Sequence, residues 1–181
     1  MISQASTPNS IRLDAFLAEV ASALSYSGTH YGASFFLDKE TLEVLSITED
    51  MRYTYELVTE DEDALDETPD WMQDAIQPMF LMEKDPERFI PIDRIPSSDA
   101  FREMQAFVEE VDDLEVQHHL ANSLRQPKPF RRFKDALLDY PEYRECWFEY
   151  RDAYEKELAK EWLIDHGILN PEDLGEDPEA Y

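Results

Sequence analysis

Glycine, cysteine and positive charge are all scarce in this chain, and each scarcity removes a class of chemistry. Only four glycines occur in 181 residues. Gly28, Gly32, Gly167 and Gly175 are scattered, so they make no loop in which several backbone N–H groups could close around a phosphate. Cys146 is the single cysteine, which excludes an intrachain disulfide and a zinc site built from several thiolates. A lone thiol suits a reducing compartment. No apolar run approaches the roughly 18 residues of a membrane span. The polar start, Met1 to Ser10, lacks the basic-then-apolar order of a secretion signal. A cytoplasmic protein without membrane contact is expected.

Lysine and arginine number 16 against 42 aspartates and glutamates, a formal charge of -26. Such a body repels nucleic acid, anionic membrane and acidic ligands at long range. Direct nucleic-acid binding is therefore not expected, and partners should be basic or neutral proteins. The same charge also serves plain solubility.

What is present is enough apolar material, 43% of the chain, to bury one core. The expected fold is α+β, mostly helical, with a small antiparallel sheet of two to four short strands packed against the helices. Residues 1–10 read as a flexible lead-in, 11–168 as one globular domain and 169–181 as an acidic tail. Leu13, Phe16, Leu17, Val20 and Leu24 mark a first amphipathic helix that Gly28 would stop. Phe35 to Leu37 and Leu42 to Leu45 flank a polar turn, as in a hairpin. Tyr53 to Val58 reads as a third strand, and the acid-rich residues 59–68 as a loop. Trp71, Met72, Ala75, Ile76, Met79 and Phe80 predict a helix that Pro78 would kink or end, and Phe89 to Ile92 an edge strand because Pro91 cannot donate to a ladder. Further helices follow from the stripes Phe101, Met104, Val108, Val111 and Leu114, Leu120, Ala121, Leu124, the second with Asp112 and Glu115 at capping-box spacing. A short helix through Phe130, Phe133 and Leu137 precedes the longest one, opened by Pro141 and stopped by Gly167.

Catalytic and metal signatures are absent from this pattern. His118 and His119, adjacent on a helix, diverge by about 100°, while His30 and His166 stand alone. The acidic block lacks the glycine of a calcium loop. Cys146, beside Trp147 and Phe148, is expected to be buried and inert. No catalytic residue, cofactor or metal is assigned.

Against this background Arg125, Lys128, Arg131, Arg132 and Lys134 place five cations within ten positions. Phe130, Phe133 and Leu137 share an inward helical face, with Arg131 and Lys134 on another, and Trp147 and Trp162 are expected to support the segment. Arginine's planar fork suits phosphate or carboxylate, so the stretch is either a docking site for an anionic group or a set of cations neutralising the protein's own acids.

Phe130-Arg131-Arg132-Phe133-Lys134-Asp135, with Trp147-Phe148, Glu161-Trp162-Leu163, His166-Gly167-Ile168 and Pro69-Asp70-Trp71, resembles a bacterial family known as uncharacterised protein family 0158. Members generally carry a glycine-containing turn before the Phe-Arg-Arg-Phe segment, where this chain has the stiffer Gln126-Pro127-Lys128-Pro129. The resemblance implies a small, acidic, cytosolic protein and no particular activity. A non-enzymatic protein-interaction module is the leading expectation. A nucleic-acid mimic that occupies a basic groove, or a small anion-binding domain or enzyme centred on the Phe-Arg-Arg-Phe-Lys-Asp segment, are the alternatives.

Overall fold

A computed structural model describes residues 8–26, 32–61 and 63–171. Helix α1 (Pro8–Leu24) leads to strands β1 (Ser34–Asp38) and β2 (Val44–Ile47). Helices α2 (Glu49–Glu60), α3 (Asp63–Glu67) and α4 (Asp70–Lys84) come next, then a 3₁₀ turn (Pro86–Arg88) and strand β3 (Phe89–Ile92). Four helices follow: α5 (Ser97–Glu110), α6 (Leu114–Leu124), α7 (Pro129–Leu137) and α8 (Pro141–Asp165). The fold is α+β, and its antiparallel sheet has the order β2-β1-β3. Pro91 sits on an outer strand opposite Phe36, where its missing N–H costs no ladder bond. Among the described residues no helix is long and apolar enough to cross a membrane.

The 25 residues of α8 extend about 37 Å, further than a single small core can cover. Two hydrophobic clusters form along it. Near its start Trp147 packs with Phe107, Leu120 and Phe133 from α5, α6 and α7. Near its end Ala159 and Leu163 pack with Leu17 and Val20 of α1 and with Leu37 and Ile92 of the sheet. The strand register brings Leu37 opposite Val44 and Ile90, and Phe35 opposite Ile92; the two-residue period sends all five toward this second cluster. Gly167 ends α8 at φ +68°. There the Gly167 N–H donates to the Ile164 carbonyl and the Ile168 N–H to that of Leu163, both at 2.9 Å, a Schellman closure with Ile168 folded onto the second cluster.

Several expectations need correction. Residues 53–58 are helical, within α2, because the Thr48 hydroxyl accepts from the Met51 N–H at 3.3 Å and Glu49 and Asp50 occupy the first turn. In a strand Tyr53, Tyr55 and Leu57 would share a face; the helix turns Val58 inward and leaves Tyr53 and Leu57 exposed. Within the supposed loop 59–68 lies α3. Pro78 does not end α4, which runs on to Lys84, and of its expected stripe Ile76 is buried whereas Trp71 is exposed. The cap of α6 is Asp113, which accepts from Glu115 and Val116 N–H; Asp112 instead accepts from the Tyr143 hydroxyl at 2.6 Å. Leu114 is exposed. Helix α1 already begins at Pro8 and ends at Leu24, while the rest of the lead-in, Gly28, His30 and most of the acidic tail lie outside the described residues.

The hairpin is fixed by a paired charge. Asp38, buried at the end of β1, accepts from Arg88 Nε at 2.7 Å and Nη2 at 2.6 Å, and from the Glu40 N–H at 2.9 Å. Arg88 also reaches Glu40, and its carbonyl accepts from the Lys39 N–H. One carboxylate thus joins the β1–β2 turn to the entry of β3. The Arg88 hydrogen bonds, aided by the backbone N–H groups, hold Asp38 at a pKa of about 2. Because that folded value lies below the unfolded one, the stabilisation is present at neutral pH and is lost as pH falls toward 2. Asp38→Asn should cost about 2 kcal/mol at pH 7, and the gap to wild type should narrow at pH 3 in urea melts.

Candidate functional site

Helix α7 starts from an uncommon backbone. Lys128 sits in the left-handed region at φ 62°, ψ 56°, a conformation that suits glycine and that avoids the right-handed one disfavoured before Pro129. Its carbonyl accepts from both the Arg131 and the Arg132 N–H at 3.1 Å, and Pro129 occupies the first turn. The stiff turn seen in the sequence therefore reaches the glycine-like conformation with a lysine.

From that start the helix separates its side chains sharply. Phe133 is fully buried, edge-on to Phe107 and Trp147, and Leu137 is buried beside it. Phe130, expected inside, is 40% exposed; it meets the edge of Phe101 at 6.4 Å and lies in the first turn, at the margin of the core. Arg125, Lys128, Arg131, Arg132 and Lys134 are all exposed. Arg131 faces Asp135 at 3.7 Å with both side chains well solvated, an arrangement worth at most about 0.5 kcal/mol. Arg125 makes a long contact with Asn122 at 3.5 Å. Among the described residues no ion pair engages Lys128, Arg132 or Lys134.

Trp147 packs against α7, edge-on to Phe133. Trp162 does not: it packs with the second cluster, tilted against His166, about 22 Å further along α8. The Cys146 thiol is exposed rather than buried, because Trp147 takes the inward position and its neighbour is rotated away by about 100°. His118 and His119 are both exposed; His119 Nδ1 and the Tyr140 hydroxyl lie 2.9 Å apart. Among the described residues no group of three or more His, Cys, Asp or Glu could hold a metal ion.

Behind α7 the two hydrophobic clusters stop short of each other and leave a cleft of about 380 Å³. Phe133, Met104 and Trp147 floor it, while Lys134 and Arg94 stand at its edge. Glu103 of α5 lines it with 7% exposure, and its Oε1 has no hydrogen-bond partner among the described residues. Ser25 Oγ, on the opposite wall, is likewise buried and unpartnered. On α8, Arg151 donates through Nε to Glu155 at 2.6 Å. Burial pushes the Glu103 carboxyl up to about 7; Glu155 adds to the rise and Arg151 opposes it.

Sequence reasoning missed Glu103, Ser25, Arg94, Arg151 and Glu155. A signal existed for the first of these, since Glu103 stands four residues before Phe107 and shares the apolar face of α5.

Two substitutions check this geometry. Between its ordinary value of 4.5 and its folded value of about 7, Glu103 binds a proton in the folded state that the unfolded chain has already released. Stability therefore falls as pH rises through that window. Glu103→Gln should raise stability at pH 8 by about 2–3 kcal/mol and change it little at pH 4.5, measured by urea denaturation. Lys128→Gly should relieve the left-handed strain and stabilise by about 0.5–1 kcal/mol, read as a raised denaturation midpoint.

Comparison with known proteins gives the chain its relatives. A curated relative, the UPF0158 protein PA5073 of Pseudomonas aeruginosa (strain PAO1), is 37% identical over 102 residues. The match takes in 56% of this chain and 63% of that protein, so less than two thirds of the relative is spanned. No solved structure matches the chain. The sequence model described as Uncharacterised protein family (UPF0158) matches residues 23–174, a stretch that contains β1 to β3 and α2 to α8. The chain belongs to uncharacterised protein family UPF0158.

Proposed function

We propose that the protein is a non-enzymatic interaction module of the bacterial cytoplasm that docks through α7 onto an anionic group of a protein partner. The observation that carries this reading is the exposure of Arg125, Lys128, Arg131, Arg132 and Lys134, with one loose ion pair among them, in a chain of net charge -26. A cation surrounded by so many carboxylates gains most by pairing internally, and these five do so hardly at all. Phe133 locks the helix to the core, so the guanidinium groups project from a rigid support, which lowers the ordering cost of docking.

The charge of the whole molecule restricts the partner. A protein acidic overall is repelled before contact, yet α7 requires a local negative group. A partner that is basic or neutral as a whole and bears a carboxylate cluster or a phosphorylated side chain satisfies both demands. Mimicry of nucleic acid has no comparable support, since acidic residues are spread over α1 to α6 and α8.

Affinity capture should use wild type, the double variant Arg131→Glu/Arg132→Glu, and the double variant Lys39→Glu/Lys84→Glu, on the exposed β1–β2 turn and the end of α4, as a charge-matched control. Wild type and the control should retain the same protein, and the double variant should lose it. Retention by all three, or by none, would remove the reading.

A further inference from the structure

The cleft behind α7 combines features that, Lys134 apart, docking through the outward cations does not use. Its floor is apolar, its edge is cationic, and two of its lining residues, Glu103 and Ser25, hold a buried oxygen with no partner among the described residues. At about 380 Å³ it lies within the range of small-ligand sites. We infer that it binds a small amphipathic anion, a carboxylate or phosphate monoester carried on an aromatic or branched apolar body. The body lies against Trp147, Phe133 and Met104, and the head reaches Lys134 and Arg94 while accepting a hydrogen bond from protonated Glu103.

The lining charges favour this class over amines. Arg94, Lys134 and Arg151 stand against Glu103 and Glu155, and Arg151 and Glu155 largely satisfy each other. Among the described residues neither Lys134 nor Arg94 forms an ion pair; Arg94 lies over the Tyr26 ring at 5.3 Å. An amine entering by this edge would meet two unpaired cations, whereas an anion would be drawn in. Inside, Glu103 is 7% exposed with Oε1 unpartnered. As an ionised group it would repel an anion, but protonated it donates the hydrogen bond that its burial otherwise leaves unmade.

The charges that act on Glu103 are Glu155 and Arg151 of α8. Glu103 in turn acts on the phenols of Tyr150 and Tyr154, which also feel Glu110, Asp99 and Arg102 of α5 and Glu161 of α8. Lys134 faces the cleft from α7 and Arg94 from the segment between β3 and α5. With the carboxyl titrating at about 7, anion binding takes up a proton from solvent onto Glu103, so affinity is highest below neutrality and falls above it.

This inference shares only Lys134 with the docking reading. It uses the inner wall of α7, and it stands even where Arg131 and Arg132 contact nothing. The test is titration of the full chain with phenylacetate and phenyl phosphate, with phenethylamine as the cationic counterpart, read at the Trp147 indole resonance by NMR. Both anions should shift that resonance, and affinity should drop about tenfold between pH 6 and pH 8. In Glu103→Gln that pH ratio should shrink to less than about twofold, and Lys134→Ala should weaken binding at both pH values. Arg131→Ala/Arg132→Ala should still bind, which separates this site from the outer surface. If Glu103→Gln does not fold, calorimetry of the wild type in two buffers of different ionisation enthalpy reads the proton uptake directly. Tighter binding of phenethylamine, no shift at millimolar anion at pH 6, or binding without proton uptake would each overturn the inference.

Discussion

The packing of α8 against two separate groups of side chains sets the terms for everything else. A helix of this length cannot be buried along one face by a single small core, so Trp147 anchors its first half to α5, α6 and α7, and Ala159 and Leu163 anchor its second half to α1 and the sheet. The cleft is the consequence. It opens between the two groups, and the polar side chains of that stretch of α8, Arg151 and Glu155, are found there. The Ile95 N–H, which donates to the Leu24 carbonyl at 2.9 Å, ties the end of α1 to the segment leading into α5 and so holds the far wall of the cleft in place.

Electrostatics divides the molecule along the same line. Asp38 and Arg88 show what a well-made internal pair looks like here: buried, bidentate and reinforced by the backbone. The cations of α7 have none of those features, although acidic side chains are plentiful. The difference is geometric. Helix α7 is short and its inner face is taken up by Phe133, Ala136 and Leu137, so Arg131 and Arg132 project away from the body.

How much of this was legible in the sequence depends on whether a signal is local. The helical spacing of Phe133 and Leu137 located the inner face of α7, and the apolar runs on either side of the polar turn after Leu37 located the hairpin. The family motifs also resolve into local physics: His166-Gly167-Ile168 is a helix stop with its apolar return contact, not a site. Tyr53 to Val58 misled because tyrosines and β-branched residues suit strands, while the decisive cap, Thr48, lay outside the window. Trp162 was expected to support α7 because spacing on one helix does not reveal which core each turn meets. The cleft was beyond reach for the same reason, since its walls come from α1, α5, α7 and α8, and only Glu103 left a trace, a carboxylate on an apolar face.

The partnership of α1 with α8 also bears on how the chain is made. Leu17 and Val20 must wait for Ala159 and Leu163, which leave the ribosome about 140 residues later, or roughly 7 to 28 seconds at ordinary elongation rates. Throughout that interval the first helix carries an apolar stripe with its final neighbour not yet synthesised. Local units such as the α6–α7 pair can assemble during synthesis, but the second core closes only once the end of α8 has been made, and until then the apolar stripe of α1 is open to aggregation and to chaperones.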